Sequence, residues 1–124
     1  MKIQESAEMY LETILILSRK FGGQVRSIDI ANHLEYSKPS VSVAMKNLRE
    51  NGYIEMEEEG FIHLTDKGRA IAEMIYERHT LLSKLLERLG VDARTAAEDA
   101  CRIEHVISEE SFEAVKRYAE TMLK

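Results

Sequence analysis

The sequence predicts a mainly α chain interrupted once by a short β-hairpin. Three observations carry that reading. Apolar residues recur at helical spacing in six separate segments. The period changes to strict alternation only between Tyr53 and Leu64. Glycines and Ser, Thr or Asp caps punctuate the segments where helices should stop and start.

The first helix is expected from about Ser6 to Phe21, with Tyr10, Leu11, Ile14, Leu15 and Leu17 inward and Gly22-Gly23 ending it. Ser27 is read as the cap of a short second helix, Ile28 to Glu35, whose inner face is Ile28, Ala31 and Leu34. After a tight turn, Ser37 caps a third helix running to about Asn51. Pro39 sits in its first turn, where a missing N–H costs nothing, and Val41, Ala44, Met45 and Leu48 face inward. Tyr53–Met56 and Phe61–Leu64 form the hairpin, joined by Glu57-Glu58-Glu59-Gly60. Thr65 or Asp66 caps a long helix to about Leu89, with a stripe of Ile71, Met74 or Ile75, Leu81 or Leu82, Leu85 and Leu89. Asp92 opens a fifth helix to about Val106. Ser108 opens a sixth that carries Phe112, Val115, Tyr118 or Ala119, and Met122. No internal repeat or Pro/Gly-rich linker appears, so the domain seam is placed inside the long helix: residues 1–70 form one domain and residues 71–124 a second.

Helix, helix, tight turn, helix, two-stranded hairpin is the order of a winged helix-turn-helix. The third helix opens with small polar residues, Ser37, Lys38, Pro39, Ser40 and Ser42. Small side chains at a helix N-terminus let its N–H groups and dipole approach a phosphate. Lys46, one turn on, suits another phosphate, and Arg26 and Ser27 start the second helix where it can point at the backbone. These eight residues are the expected contacts to double-stranded DNA. The acidic tip Glu57-Glu58-Glu59 is expected to face away from DNA, and readout is expected to rest on shape more than on base edges.

The 124 residues carry a net charge of −5, which argues against indiscriminate coating of DNA. The acidic excess lies wholly in the second part: residues 1–50 hold seven Lys and Arg against six Asp and Glu, residues 51–124 ten against sixteen. A chain of this length buries a limited core alone, so a homodimer is expected. No run of about 18 apolar residues exists for a membrane span, and Met1–Glu5 does not read as a signal peptide. One cysteine, Cys101, allows no intrachain disulfide and fits a reducing cytoplasm. Without an oxyanion-forming loop, a Gly-rich phosphate cradle or a nucleophile elbow, an enzyme is not expected.

Cys101-Arg102-Ile103-Glu104-His105 places a thiolate, a carboxylate and an imidazole at i, i+3 and i+4, on one helix face. Such a donor set suits Fe(II), Co(II), Ni(II), Zn(II) or Cd(II) better than Mg(II) or Ca(II). Spacing alone leaves open a small core cysteine beside a surface Glu-His pair. His33 and His63 have no comparable company and are read as ordinary residues.

The chain resembles the diphtheria toxin repressor family of metal-dependent repressors, which includes the manganese transport regulators. The resemblance runs through Glu8-Met9-Tyr10-Leu11-Glu12, Ser37-Lys38-Pro39-Ser40-Val41-Ser42, Leu64-Thr65-Asp66-Lys67-Gly68, Arg78-His79, and Glu98 to Val106. It implies an activating metal site of Met9, Cys101, Glu104 and His105, as in the family's iron-responsive branch. Manganese regulators carry Asp and Glu at the positions of Met9 and Cys101. Soft donors disfavour Mn(II), so Fe(II) is the expected signal, with Mn(II), Co(II), Ni(II), Zn(II) or Cd(II) as possible substitutes. For a second site the resemblance offers His79, and Glu12 as in the manganese branch. Ser83 and Ala97 depart from the iron branch's ligands there, leaving His79 either a ligand or a hydrogen-bonded core residue. The resemblance also implies a short form without the family's SH3-like domain. Its mechanism would be metal linking Met9 to the fifth helix, fixing two DNA-binding domains of a homodimer to match a palindromic operator.

Overall fold

The computed structural model describes residues 5–123. Met1–Gln4, part of the segment read above as no leader, and Lys124 lie outside them. The elements are α1 (Glu5–Lys20), α2 (Ser27–Leu34), α3 (Lys38–Glu50), β1 (Ile54–Met56), β2 (Ile62–Leu64), α4 (Asp66–Arg88), α5 (Ala93–Glu104) and α6 (Glu109–Met122). The chain divides into one unit through Glu73 and another from Met74, with α4 opening in the first and continuing in the second. Among the described residues no helix is long and apolar enough to cross a membrane.

In the first unit α1 is the central strut. Tyr10, Leu11, Ile14, Leu15 and Leu17 are all buried, in a core shared with Val25, Ile30, Val41, Met45, Leu48, Ile54 and Ile62. Gly22 and Gly23 end the helix at φ 64° and 86°, a region open to glycine at little cost. Between α2 and α3 the chain reverses in three residues because Glu35 adopts a left-handed conformation, φ 59°. Ser37 caps α3: its Oγ accepts the Ser40 N–H at 3.3 Å. The strands β1 and β2 pair antiparallel, Ile54 opposite Leu64 and Met56 opposite Ile62. Val25 extends the wing by one bridge, its carbonyl accepting the Ile62 N–H at 2.7 Å.

Two expectations are corrected in this unit. Ser27 is not the cap of α2 but its first residue. Arg26 takes the cap position, and its N–H donates to Asp29 Oδ2 at 2.9 Å. Ile28 is 38% exposed, and Ile30 with Ala31 forms the buried face instead. With apolar residues at both 28 and 30, an eight-residue helix offers two registers, and packing against the core selects the second.

In the second unit Leu82, Ala100 and Phe112 form a small core, flanked by Leu81, Ile103, Ile107 and Val115. The alternatives within the long helix resolve to Ile75 and Leu82, and in α6 to Ala119, because Met74 and Tyr118 are exposed. Leu89, expected inward, is 66% exposed one residue past the end of α4. Asp92 caps α5, accepting the Thr95 N–H at 3.1 Å and the Thr95 hydroxyl at 2.8 Å. These bonds to its charged form hold the Asp92 carboxyl below its ordinary range. Ser108 caps α6 through the Ser111 N–H at 3.0 Å. The fifth helix ends at Glu104, two residues earlier than expected, with His105 as its C-cap.

Candidate metal centre and nucleic-acid interface

Cys101 and Glu104 occupy the last turn of α5, and His105 keeps right-handed helical dihedrals as the C-cap. The i, i+3, i+4 relation therefore survives the early end of the helix. One donor atom from each of Cys101, Glu104 and His105 lies within 4.8 Å of the other two. Glu104 and His105 are buried and Cys101 is half-buried. Burying a carboxylate is costly without partners. Glu104 has one good partner: Oε2 lies 2.8 Å from His79 Nδ1 on α4, whose N–H donates to it. Its other oxygen, Oε1, is buried without a hydrogen bond among the described residues, with His105 Nε2 at 3.4 Å. A buried carboxylate oxygen left over beside a thiol and an imidazole is what a divalent cation's coordination sphere fills, so the donor set fits a transition metal.

Arg78, which sequence reasoning passed over except as part of a motif, is buried one residue before His79. Its Nη1 donates to the carbonyls of Glu104 and Ile107, each at 3.1 Å. An arginine on a long helix reads as solvated, and only its partners 26 and 29 residues away reveal otherwise.

Met9 and Glu12 belong to the first unit. Met9 is half-buried on α1, and its Sδ accepts the Tyr36 hydroxyl at 3.4 Å. Tyr36 also meets the Tyr10 ring edge-on at a centroid distance of 6.0 Å. Burial, and secondarily Tyr36, raises the Tyr10 pKa. The residue immediately before the α3 cap is thus tied to α1, a link that no local pattern signals. Glu12 is buried on the same helix.

Of the residues expected to meet DNA, Ser37, Lys38, Pro39, Ser40, Ser42 and Lys46 are all exposed. Ser27, Ile28, Lys38 and Ser42 line one groove, so the N-terminal halves of α2 and α3 open onto the same surface. The Ser37 hydroxyl is committed locally, since it also donates to Ser40 Oγ at 2.8 Å. Arg26 is exposed, with its guanidinium 4.3 Å from the Phe61 ring centroid. It braces the turn end of the wing, where Phe61 follows Gly60, as well as marking the start of α2. On the wing, His63 Nε2 lies 2.5 Å from Glu57 Oε2, so His63 has a carboxylate partner that the sequence reading did not give it. Val43, also passed over, is 60% exposed on α3 beside Ser42. An apolar residue off the inward stripe was the available signal.

Comparison with known proteins gives a consistent result. The description "Iron dependent repressor, N-terminal DNA binding domain" matches residues 2–62. "Iron dependent repressor, metal binding and dimerisation domain" matches residues 65–123. An HTH-type transcriptional regulator of Methanocaldococcus jannaschii is 34% identical over 119 residues, covering 95% of each chain. The transcriptional regulator MntR of Escherichia coli O157:H7 is 34% identical over 94% of this chain and 75% of its own. The crystal structure of T. acidophilum IdeR superposes with a TM-score of 0.74 at 29% identity, over 90% of this chain and 53% of that one. The chain therefore spans about half the length of that solved relative. On these grounds it belongs to the iron-dependent repressor family of metal-dependent transcriptional repressors.

Proposed function

We propose that this chain is a metal-activated repressor that binds palindromic operator DNA as a homodimer, with Fe(II) as its signal. The observation that carries the proposal is the convergence of Cys101, Glu104 and His105 within 4.8 Å, with Glu104 Oε1 buried and without a hydrogen bond among the described residues. A bound divalent cation would supply the charge that lets thiolate, carboxylate and imidazole share one point. The thiolate favours Fe(II) over Mn(II), the weakest binder of the first-row series. From the resemblance we add Met9 as a further donor; Met9→Leu, which removes the thioether, tests that role in a Co(II) titration. Glu12 and His79 are proposed more narrowly: His79 as the group that orients Glu104, and Glu12 as a carboxylate for a second ion.

The rest of the activity belongs to the chain's own groups. The N-terminal ends of α3 and α2 offer positive dipole ends to phosphates, although Pro39 brings no N–H and the Ser40 N–H is held by Ser37 Oγ. Lys38, Lys46 and Arg26 add charge, and the small Ser40 and Ser42 allow close approach. Val43 supplies an apolar surface of the kind that meets a thymine methyl group. Large apolar side chains left exposed in the second unit, Leu89, Val106 and Tyr118 among them, support self-association. Two recognition helices related by a two-fold axis would then meet successive major grooves.

The test is anaerobic binding to a duplex selected from random-sequence DNA, at buffered free Fe(II), Mn(II) or no metal. Fe(II) is expected to tighten binding by roughly 5- to 150-fold, the usual range of coupling between two sites. Equal affinity with and without metal sinks the sensor model, and full activation by Mn(II) at lower free concentration than Fe(II) sinks the iron assignment. In the same assay Lys46→Ala is expected to weaken all duplexes alike and to lower the salt-dependence slope by about one. A change confined to particular sequences would place Lys46 on a base instead.

A further inference from the structure

We infer that Arg78 is a positioning residue for the metal centre, gripping the main chain on both sides of His105 so that Glu104 and His105 stay aimed at the point they share with Cys101. This inference rests on the metal reading above. The last carbonyls of a helix have no partner within it, and α5 ends at Glu104. The Glu104 carbonyl is capped from outside by Arg78 Nη1 at 3.1 Å, and the same nitrogen holds the Ile107 carbonyl at 3.1 Å. The segment 104–107 is thus fastened at its first and last residues to one guanidinium. The next residue of α4, His79, holds the Glu104 carboxylate at 2.8 Å. Two consecutive residues of α4 therefore fix one ligand residue by its main chain and by its side chain.

Packing alone does not account for an arginine here. The residue is buried, and its Nε has no hydrogen-bond partner among the described residues. Its guanidinium lies 5.4 Å from the Phe112 ring centroid at the start of α6. A methionine would fill similar space without burying a charge or leaving a donor unmet. What methionine cannot do is hold two carbonyls at once. Groups that orient metal ligands act this way, and their loss typically weakens metal binding by roughly 10- to 100-fold.

The experiment is a Co(II) titration of the full chain, wild type against Arg78→Met, under anaerobic conditions with a competing chelator. It records the thiolate-to-Co(II) charge-transfer band, the d–d bands, and thermal unfolding of the metal-free proteins. Arg78→Met is expected to bind Co(II) roughly 10- to 100-fold more weakly, with shifted d–d bands and retained helical circular dichroism. Arg78→Lys, a single ammonium in place of a planar fork, is expected to fall between the two. Wild-type affinity and spectrum in Arg78→Met overturn the inference. If Arg78→Met does not fold, Arg78→Lys decides: unaltered d–d bands and affinity overturn the inference, and altered ones support it. Absence of a charge-transfer band in the wild-type protein is a different failure, that of the metal reading itself.

Discussion

Cys101→Ala is expected to abolish the metal response of DNA binding while leaving the metal-free protein folded. Cys101 is half-buried in the last turn of α5, and alanine is the strongest helix former, so the substitution removes a sulfur at little cost to the helix. It leaves Glu104 and His105, with the proposed Met9, as a site that has lost its thiolate. Loss of residues that merely orient ligands weakens metal sites by roughly 10- to 100-fold, and loss of the ligand itself should exceed that. At a free Fe(II) concentration that saturates the wild type, the ratio of DNA affinities with and without metal should fall from roughly 5–150 to about one. Cys101→Glu makes the sharper comparison, because it keeps a ligand and changes only its hardness. Activation should return, with Mn(II) gaining on Fe(II) as an oxygen donor replaces the thiolate. A wild-type metal response in Cys101→Ala would reduce this cysteine to a packing residue. If Cys101→Glu keeps the wild-type metal preference, donor softness is not what selects the metal.

That the Cys101, Glu104 and His105 cluster was legible in the sequence follows from its locality. All three lie within five residues, and helical geometry brings i, i+3 and i+4 together wherever the helix packs. Caps were legible for the same reason: Ser37, Asp92 and Ser108 each meet an N–H three residues on. What failed was either degenerate or distant. Ile28 and Ile30 offered two faces to one short helix, and only the core could choose. Arg26 took the cap of α2 because the Asp29 carboxylate reaches its N–H, which made Ser27 superfluous. Leu89 continued the stripe of α4 past the point where there was anything to pack against. Arg78 and Tyr36 make their decisive bonds to residues 26 and 27 positions away, beyond any local pattern.

The strongest stability effect outside the metal centre is expected from Gly68→Ala, a change that local propensity would favour. In an exposed helix, alanine in place of glycine gains about 1 kcal/mol. Gly68 sits in the first turn of α4, however, and a Cβ there would lie 2.0 Å from the Tyr53 carbonyl oxygen. No rotamer relieves an overlap between a Cβ and backbone. The approach is this close because the motif Thr65-Asp66-Lys67-Gly68 docks the helix start onto the chain that leaves α3. Thr65 Oγ1 accepts the Gly68 N–H at 3.1 Å and donates to the Gly52 carbonyl at 2.7 Å. The Thr65 N–H donates to the Tyr53 carbonyl at 3.1 Å. Lys67 Nζ donates to the Asn51 carbonyl at 3.3 Å and lies 4.3 Å from the Tyr53 ring centroid. To admit a methyl group the helix must back away and loosen these bonds together. Overpacking of this kind typically costs 1–3 kcal/mol and occasionally more, so a net loss of about 2 kcal/mol is expected, or roughly 10 °C in the melting of a unit this size. Calorimetric melting of the metal-free protein measures it. The thiolate-to-Co(II) band at low temperature should persist, since Cys101, Glu104 and His105 belong to the other unit. A melting temperature at or above wild type would mean that helix propensity outweighs the overlap and that α4 can enter at a greater distance.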